Sequence, residues 1–394
     1  MAHTLSIDWV FEIAFFITIQ YRRLWGKYQG EEAVKFDILC LMRLSSGQAP
    51  RREGGETEVQ FLPASHMTPQ EYILSQLKSL NEPLPLGLKP EGDSEMADAI
   101  FKVLLSKKFR KFSIPEGNQA IIRAAIEKNI ANKEPIKISW PFGGYKLWRL
   151  AEAPEADWAE LFTMMYIAQW LKAACAMYSP GIDFTFWEDE VVISKMNNIP
   201  QHELDTYQQS FIDLLNFISP YLPTNLKFDF FLERSQYESV DVFEAELKIE
   251  MEKLKQARAK DPQPLSDKAR SSIDLNVKVT PDQALDPLWR EKIDLMHYAY
   301  YNLQESKSSV RKAYSTENIT AFTTFFEPNV IPIGSTKTSI VRFWVGVGAL
   351  QRRGDSFIET ILSPSQIEKA QFEWETVEIK ELVGKNFKKI RILE

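Results

Sequence analysis

The hydrophobic and polar positions of the central third of the chain predict alternating strands and helices. Residues 136–140 are predicted to form a strand that Pro141 ends. Residues 158–178 contain few strongly polar side chains, which predicts a helix that is buried nearly all round. The pattern predicts further strands at 183–187, 191–194 and 226–232, and an amphipathic helix at 203–218. This order favours a mostly parallel sheet covered by helices.

The two ends of the chain differ from this centre. Thr68 is followed by Pro69 and Glu71, which predicts a helix that begins with a capping box and a proline in its first turn. Other helices are predicted at 7–25, 94–111, 119–132 and 241–272, and a helical pair at 288–326. Strands are predicted at 339–350, 356–362, 376–382 and 388–393.

Together these elements predict an α/β fold. It has a mostly parallel, Rossmann-like sheet flanked by helices, a helical N-terminal part and a strand-rich C-terminal part. We predict four regions: a helical N-terminal region at 1–112, an α/β core at 113–250, a charged linker or surface excursion at 251–287, and a helical pair with C-terminal strands that complete the core at 288–394.

Composition narrows the possible chemistry. The chain of 394 residues has only two Cys and four His, which excludes a disulfide scaffold and argues against a Cys/His metal site. Its net charge of −7 argues against a general nucleic-acid-binding surface. The apolar run at 9–19 is too short to span a bilayer, and we interpret it as a buried helix. We therefore expect a cytoplasmic protein without membrane or nucleic-acid partners, whose chemistry depends on Lys, Arg, Asp, Glu, Tyr or Ser.

The loop after the predicted strand at 136–140 is the first candidate site. Gly143 and Gly144 let the backbone approach an anion closely, and Lys146 adds positive charge. Ligands bind at the carboxyl edge of the sheet in open α/β folds, which is where this loop is expected to lie. A tight turn without a ligand would need the same glycines, so both interpretations stay open here.

Two acidic segments are the next candidates. Asp157 and Glu160 begin the long buried helix, where they suit either a capping box or the binding of a substrate amine. Glu188, Asp189 and Glu190 follow a predicted strand, where they suit either a metal or amine site or a solvated turn.

A fourth segment combines small hydroxyl side chains with positive charge. Lys337 lies among Gly, Ser and Thr residues, a composition that suits a phosphate or carboxylate, although the spacing is not that of a P-loop. A solvent-exposed loop is the alternative. Arg342 follows within an apolar strand, where a guanidinium needs a protein or ligand partner.

The order of these segments resembles the isonitrile (isocyanide) synthases, also called the pyoverdine/dityrosine biosynthesis family, over about residues 115 to 350. That family has a Pro-Phe-Pro-x-Lys-Ser loop, an Asp-x-x-Glu helix start, a Tyr-Pro-Pro-Gly turn, a Ser-Asp-Gly turn and an Ile-Arg-Leu-Ser strand. The corresponding segments here are 141–146, 157–160, 178–181, 188–190 and 340–343. The lysine loop lacks the family's Ser-Pro continuation, Ser-Asp-Gly is reduced to Asp189, and no His follows the Arg342 strand.

The resemblance implies an enzyme that converts the α-amine of an amino acid to an isonitrile and takes the carbon from ribulose 5-phosphate. It implies no cofactor and no metal, and its partners are these two small molecules. The implied catalytic residues are Lys146, Asp157, Glu160 and Asp189, and the implied substrate- and phosphate-binding residues are Gly143, Gly144, Tyr145, Lys337 and Arg342.

Two alternatives stay open at this point. One is a catalytically diverged or inactive relative that binds a small molecule. The other is a protein-interaction module, because 10 Trp and 25 Phe are enough to form an exposed aromatic surface. The enzyme hypothesis requires Lys146, Asp157, Glu160, Asp189 and Arg342 to converge on one pocket.

Overall fold

The computed structural model describes residues 67–84, 90–141, 143–188, 194–232, 240–261, 273–306, 318–323, 327–334, 346–382 and 384–394. Within these residues, helices surround a five-stranded parallel sheet and a second sheet of four strands. The predicted α/β fold class is therefore confirmed. Among the same residues, no helix is both long enough and apolar enough to cross a membrane.

The elements alternate through the centre of the chain as the hydrophobic pattern predicts. In chain order they are α1 Pro69–Ser79, α2 Asp93–Leu104, α3 Glu116–Ala131, β1 Ile136–Pro141, α4 Trp158–Met177, β2 Ile182–Glu188, α5 Gln201–Ile218, β3 Leu226–Leu232, α6 Val240–Lys260, α7 Pro281–Ala284, α8 Pro287–Ser306, β4 Ile319–Phe322, β5 Val330–Pro332, β6 Val347–Arg353, β7 Ser356–Leu362, α9 Pro364–Lys369, β8 Glu373–Thr376 and β9 Lys389–Leu393.

The parallel sheet has the strand order β3-β2-β1-β4-β5. The chain moves outward from β1 to β2 and β3, and then crosses back to place β4 on the other side of β1. The carboxyl ends of β1 and β4 therefore form a topological switch point, where open α/β sheets leave a crevice. Strand β1 ends there at Pro141, directly before the glycine-rich loop.

Aromatic side chains fill the space between this sheet and its helices. The side chains of β2 alternate between buried and half-buried, so one face of the strand packs inward. On that face the ring of Phe186 lies 5.1 Å from the ring of Phe211 in α5. Helix α4 crosses the same core, and its Trp170 indole donates to the Leu104 carbonyl over 3.1 Å. The predicted burial of α4 nearly all round is confirmed.

The second sheet holds the first turn of α4 in place. Its strand order is β7-β6-β9-β8, with β6 and β9 parallel and the other pairs antiparallel. At Gly348 in β6, an added Cβ would lie 2.3 Å from the Cβ of Trp158, so only glycine permits this approach. The Trp158 indole donates to the Lys389 carbonyl of β9 over 2.9 Å.

Helices α6 and α8 form a separate apolar cluster with residues 273–277. Phe243 and Tyr300 join the two helices through rings 6.4 Å apart. Residues 273–278, which we call the strap, also reach the loop after β1. The Trp148 indole donates to the Val277 carbonyl over 3.1 Å. The strap lies inside the region predicted as a linker or surface excursion, and the four-region division stays a prediction.

Two predictions for the C-terminal part are wrong. Residues 319–322 were expected to lie in a helical pair, but they form β4. The reason is that so short a segment acquires its conformation from pairing with the neighbouring strand β1. Residues 376–382 were expected to form a strand, but the strand β8 ends at Thr376, and Val377 and Ile379 are buried in irregular backbone. The predictions for 7–25, 191–193 and 339–345 lie outside the described residues.

A buried histidine in α8 makes the stability depend on pH. The His297 Nε2 atom lies 2.9 Å from the Met196 carbonyl oxygen, and burial lowers the pKa of His297 from 6.5 to about 4. Between these values the unfolded chain binds the proton more readily than the folded chain. We expect the contribution of His297 to the free energy of unfolding to decrease as the pH falls through this window, by on the order of 3 kcal/mol.

Urea unfolding of the wild type and of His297→Gln between pH 6.5 and 4 tests this expectation. The difference in the free energy of unfolding between the wild type and His297→Gln should change across this window, whereas the curve of His202→Gln, at an exposed position, should follow that of the wild type. An unchanged pH dependence in His297→Gln would show that another group is responsible.

Candidate functional site

The glycine-rich loop and the start of α4 meet at the carboxyl edge of the parallel sheet. Helix α4 follows β1 and runs back along the sheet, so its first turn lies at this edge. Asp157 is its N-cap and accepts from the Ala159 N–H over 2.8 Å. The Glu160 carboxylate accepts from the Asp157 N–H over 2.8 Å, which completes a capping box. The capping interpretation of these two acids is therefore confirmed.

Lys146 connects the loop to this helix start. Its Nζ atom lies 2.7 Å from the Asp157 Oδ1 atom and 3.0 Å from each carboxylate oxygen of Glu160. The three side chains are at most 1% exposed. We call them the lysine cluster. A cap alone does not require a buried cation, so the cluster does more than begin a helix.

Two further elements complete the hydrogen bonds of the lysine cluster. The Tyr207 hydroxyl of α5 donates to the Glu160 Oε1 atom over 3.2 Å. The Gly348 N–H of β6 donates to the Asp157 Oδ2 atom over 3.0 Å. The two carboxyl groups thus receive donors from the loop, from α4, from α5 and from β6, which fixes their positions.

A third carboxyl group lies beside the cluster. Glu188, at the end of β2, is 1% exposed, and its Oε1 atom accepts from the Gln208 side chain over 3.1 Å. A Cβ on Gly144 would lie 1.9 Å from the Glu188 Cδ atom, and Gly144 has a φ of +67°. Glycine is therefore required here both by the backbone angle and by the contact. Gly144 therefore fits a tight turn, and it fits equally well a loop that binds a ligand at the carboxyl edge of the sheet.

The environment separates the pKa values of the two carboxyl groups in the lysine cluster. Burial and the neighbouring Asp157 charge raise the pKa of Glu160 well above 4.5, although Lys146 opposes the change. Burial also acts to raise the pKa of Asp157, but Lys146 and hydrogen bonds outweigh it and lower that pKa. Burial lowers the pKa of Lys146, yet the two carboxylates reverse this and raise it. Of the two carboxyl groups, Glu160 therefore takes up a proton at the higher pH.

The other predicted site residues occupy different places. Gly143 and Tyr145 are buried in the loop, and the Tyr145 hydroxyl donates to the Asn276 Oδ1 atom of the strap over 3.0 Å. Asp189, Lys337 and Arg342 lie outside the described residues. The structure therefore brings Lys146, Asp157 and Glu160 together, and the functional role of every predicted site residue stays a prediction.

Sequence reasoning considered Glu188 only as part of the acidic segment 188–190, for which a solvated turn was one interpretation, and it did not select Tyr207, Gln208 or Gly348. Glu188 continues the alternation of Phe184 and Phe186 on the buried face of β2, so period-two counting would have placed it inside. Tyr207 and Gln208 lie on the buried side of α5, but helical periodicity does not indicate which carboxylate they reach. Gly348 donates to Asp157, which lies almost 200 positions earlier in the chain, and no local sequence pattern indicates this hydrogen bond.

Over the described part of the chain, no group of three or more His, Cys, Asp or Glu side chains is arranged to hold a metal ion. What the arrangement offers chemically is one ammonium and two carboxyl groups, of which Glu160 has a raised pKa and Asp157 a lowered one.

Comparison with solved structures finds a related fold. The PvcA protein from Pseudomonas aeruginosa aligns with 76% of this chain and 100% of its own, with a TM-score of 0.50 and 14% sequence identity. Tyrosyl-tRNA synthetase from Aeropyrum pernix aligns with 56% of each chain at a TM-score of 0.22 and 10% identity, which supports no argument. No family model and no curated protein sequence matches the chain. The likeness to PvcA shows a shared fold.

Removing the ammonium of Lys146 tests how the cluster is held together. Lys146→Met leaves two buried carboxyl groups without their cation, and we expect a loss of about 3–5 kcal/mol in the free energy of unfolding. Adding Glu160→Gln removes one of the uncompensated groups, so the double variant should recover part of the loss. Urea unfolding at neutral pH measures each value.

The matched control is Lys137→Met. Lys137 pairs with Glu134 over 3.2 Å, but both side chains are about half exposed, so its loss should cost less than about 1 kcal/mol. A Lys146→Met variant as stable as Lys137→Met would contradict the buried ion cluster.

Proposed function

We propose that this protein is an isonitrile synthase-like enzyme of the cytoplasm. It converts the α-amine of an amino acid to an isonitrile, takes the carbon from ribulose 5-phosphate, and needs no cofactor or metal. The observation that carries the proposal is the lysine cluster. A proton-exchanging carboxyl group, an ionised carboxylate and an ammonium lie together at the carboxyl edge of an α/β sheet, where such folds bind ligands.

Two independent lines support this choice of reaction. The order of the segments at 141–146, 157–160 and 178–181 resembles the isonitrile synthases. The fold resembles that of PvcA, which belongs to the same family, over the whole length of that protein. The local motifs and the fold therefore support the same family. A sequence identity of 14% by itself shows only a shared fold.

The first chemical step requires movement of protons. The amine nitrogen attacks the ketone carbon of ribulose 5-phosphate, a C–N bond forms, and the carbonyl oxygen leaves as water while the nitrogen loses two protons. A group that both accepts and donates protons near neutral pH accelerates such a condensation. The pKa of Glu160 is raised in the direction that this role needs, and Asp157 and Lys146 hold the side chain in position.

The sugar phosphate needs positive charge from elsewhere in the chain. The Lys146 ammonium already contacts two carboxyl groups and is completely buried, so it suits the proton-handling site better than a phosphate site. In the proposal, Lys337 and Arg342 bind the phosphate or the amino-acid carboxylate, and Asp189 orients the amine. Gly143, Gly144 and Tyr145 form the wall of the site next to the cluster.

The test is a product assay with the purified full-length chain. Incubation with pooled amino acids and isotopically labelled ribulose 5-phosphate should yield an isonitrile that contains one labelled carbon, detected by mass spectrometry. Absence of such a product would refute the proposed reaction, and an unchanged melting temperature on addition of either substrate would also refute the binding of these substrates.

Glu160→Gln tests the proton-transfer role within this reaction. The amide keeps the shape of the side chain but does not exchange a proton at working pH, so we expect kcat to fall by about 100-fold or more. The exposed Glu127→Gln variant in α3 should keep the wild-type rate. A Glu160→Gln enzyme with unchanged kcat would assign the proton transfer to another group.

One observation favours a second candidate, a non-catalytic relative that binds a small molecule. Each member of the lysine cluster is buried and has partners within the chain, as in a purely structural ion cluster. In that case ribulose 5-phosphate or an amino acid should raise the melting temperature without any product, and Glu160→Gln should leave this shift unchanged.

A further inference from the structure

Asn197 is a buried amide with unmet hydrogen-bonding capacity. It lies between β2 and α5 and is 0% exposed. Over the part of the chain that the structure describes, neither its Oδ1 nor its Nδ2 atom has a hydrogen-bond partner. Burying a carboxamide without partners costs free energy, so such a residue calls for a specific explanation.

The surroundings of Asn197 are fixed on both sides. The backbone carbonyl of Asn197 accepts from the backbone N–H of Lys278 in the strap over 2.8 Å. The side-chain amide of the neighbouring Asn198 donates to the backbone carbonyl of Lys278 over 2.7 Å. Two residues further on, Ile199 packs in one apolar cluster with Tyr145. Asn197 therefore lies where the strap and the loop that carries Lys146 meet, beyond the carboxyl end of β2 and hence at the ligand-binding edge of the sheet.

A structural asparagine in the same fold looks different. The Asn225 amide donates to the carbonyls of Cys175, Tyr178 and Ser179 over 2.9, 2.9 and 3.3 Å. Its side chain joins three backbone groups of the turn between α4 and β2. Asn197 makes no such connection with its side chain, so backbone support does not explain why an amide occupies this position.

The chemistry of the amide selects a class of ligand group. A carboxamide offers two N–H donors and one carbonyl acceptor. Phosphate and carboxylate groups offer acceptors only, and an ammonium offers donors only, so each leaves part of the amide unsatisfied. A hydroxyl group both donates and accepts. We propose that Asn197 binds the hydroxyl groups of the sugar phosphate, an inference that rests on the proposed function and names the residue that recognises its carbon donor.

Asn197→Leu separates this role from a structural one. Leucine has a similar size and removes the unsatisfied polar atoms, so the melting temperature should stay the same or rise. KM for ribulose 5-phosphate should rise by about tenfold or more, because the hydroxyl groups lose their partner, while KM for the amino acid stays the same. The control Asn225→Leu should lower the melting temperature and leave both KM values unchanged.

A second variant and a binding measurement keep the test independent of folding and of the reaction. Asn197→Ala avoids overpacking, and calorimetry with ribulose 5-phosphate and no amino acid reports binding alone. We expect the wild type to bind ribulose 5-phosphate and Asn197→Ala to bind it about tenfold more weakly. Both proteins should bind inorganic phosphate equally well.

The outcomes distinguish this inference from the proposed function. Binding of ribulose 5-phosphate that depends on Asn197, without any isonitrile product, would refute the reaction and support the inference. An isonitrile product with unchanged KM values in both Asn197 variants would support the reaction and overturn the inference. A fall in melting temperature of Asn197→Leu that matches Asn225→Leu, with unchanged sugar-phosphate affinity, would also overturn it.

Discussion

The ammonium of Lys146 between the carboxyl groups of Asp157 and Glu160 is the interaction on which the rest of the site depends. It joins the loop after β1 to the first turn of α4, and the same carboxyl groups receive donors from Tyr207 in α5 and Gly348 in β6. A charge buried without its partner is strongly destabilising. Any displacement of these four elements would break part of this network, so the cluster fixes their relative positions.

The cluster holds the elements of the fold together, and it is buried in surroundings of low polarity. The same burial also shifts the pKa values of its carboxyl groups. Burial disfavours charge on both carboxyl groups, but Lys146 and hydrogen bonds lower the pKa of Asp157, while the pKa of Glu160 is raised well above its ordinary value. Two carboxyl groups three positions apart are thereby assigned different protonation behaviour, as acid–base chemistry requires. Glu188, at the end of β2, adds a further buried carboxyl group at the same sheet edge.

Local sequence signals predicted what short-range physics determines. Strand β1, the burial of α4, the strand β3 and the capping box at Thr68 all follow from periodicity or from side chains within a few positions of one another. The short strand β4 was missed because its conformation depends on pairing with β1. The contribution of Tyr207 and Gly348 to the site was missed because each meets the lysine cluster only through tertiary packing.

Infrared difference spectroscopy over a pH titration tests the central claim most directly, because it detects the protonated form of a buried carboxyl group. We predict a carboxylic acid absorption well above pH 4.5 that is weaker in Glu160→Gln than in the wild type and unchanged in the exposed-site variant Glu127→Gln; Glu359, whose pKa is also raised by burial, contributes equally in all three proteins. A spectrum in which no carboxyl group stays protonated above that pH, and which Glu160→Gln leaves unchanged, would contradict the account.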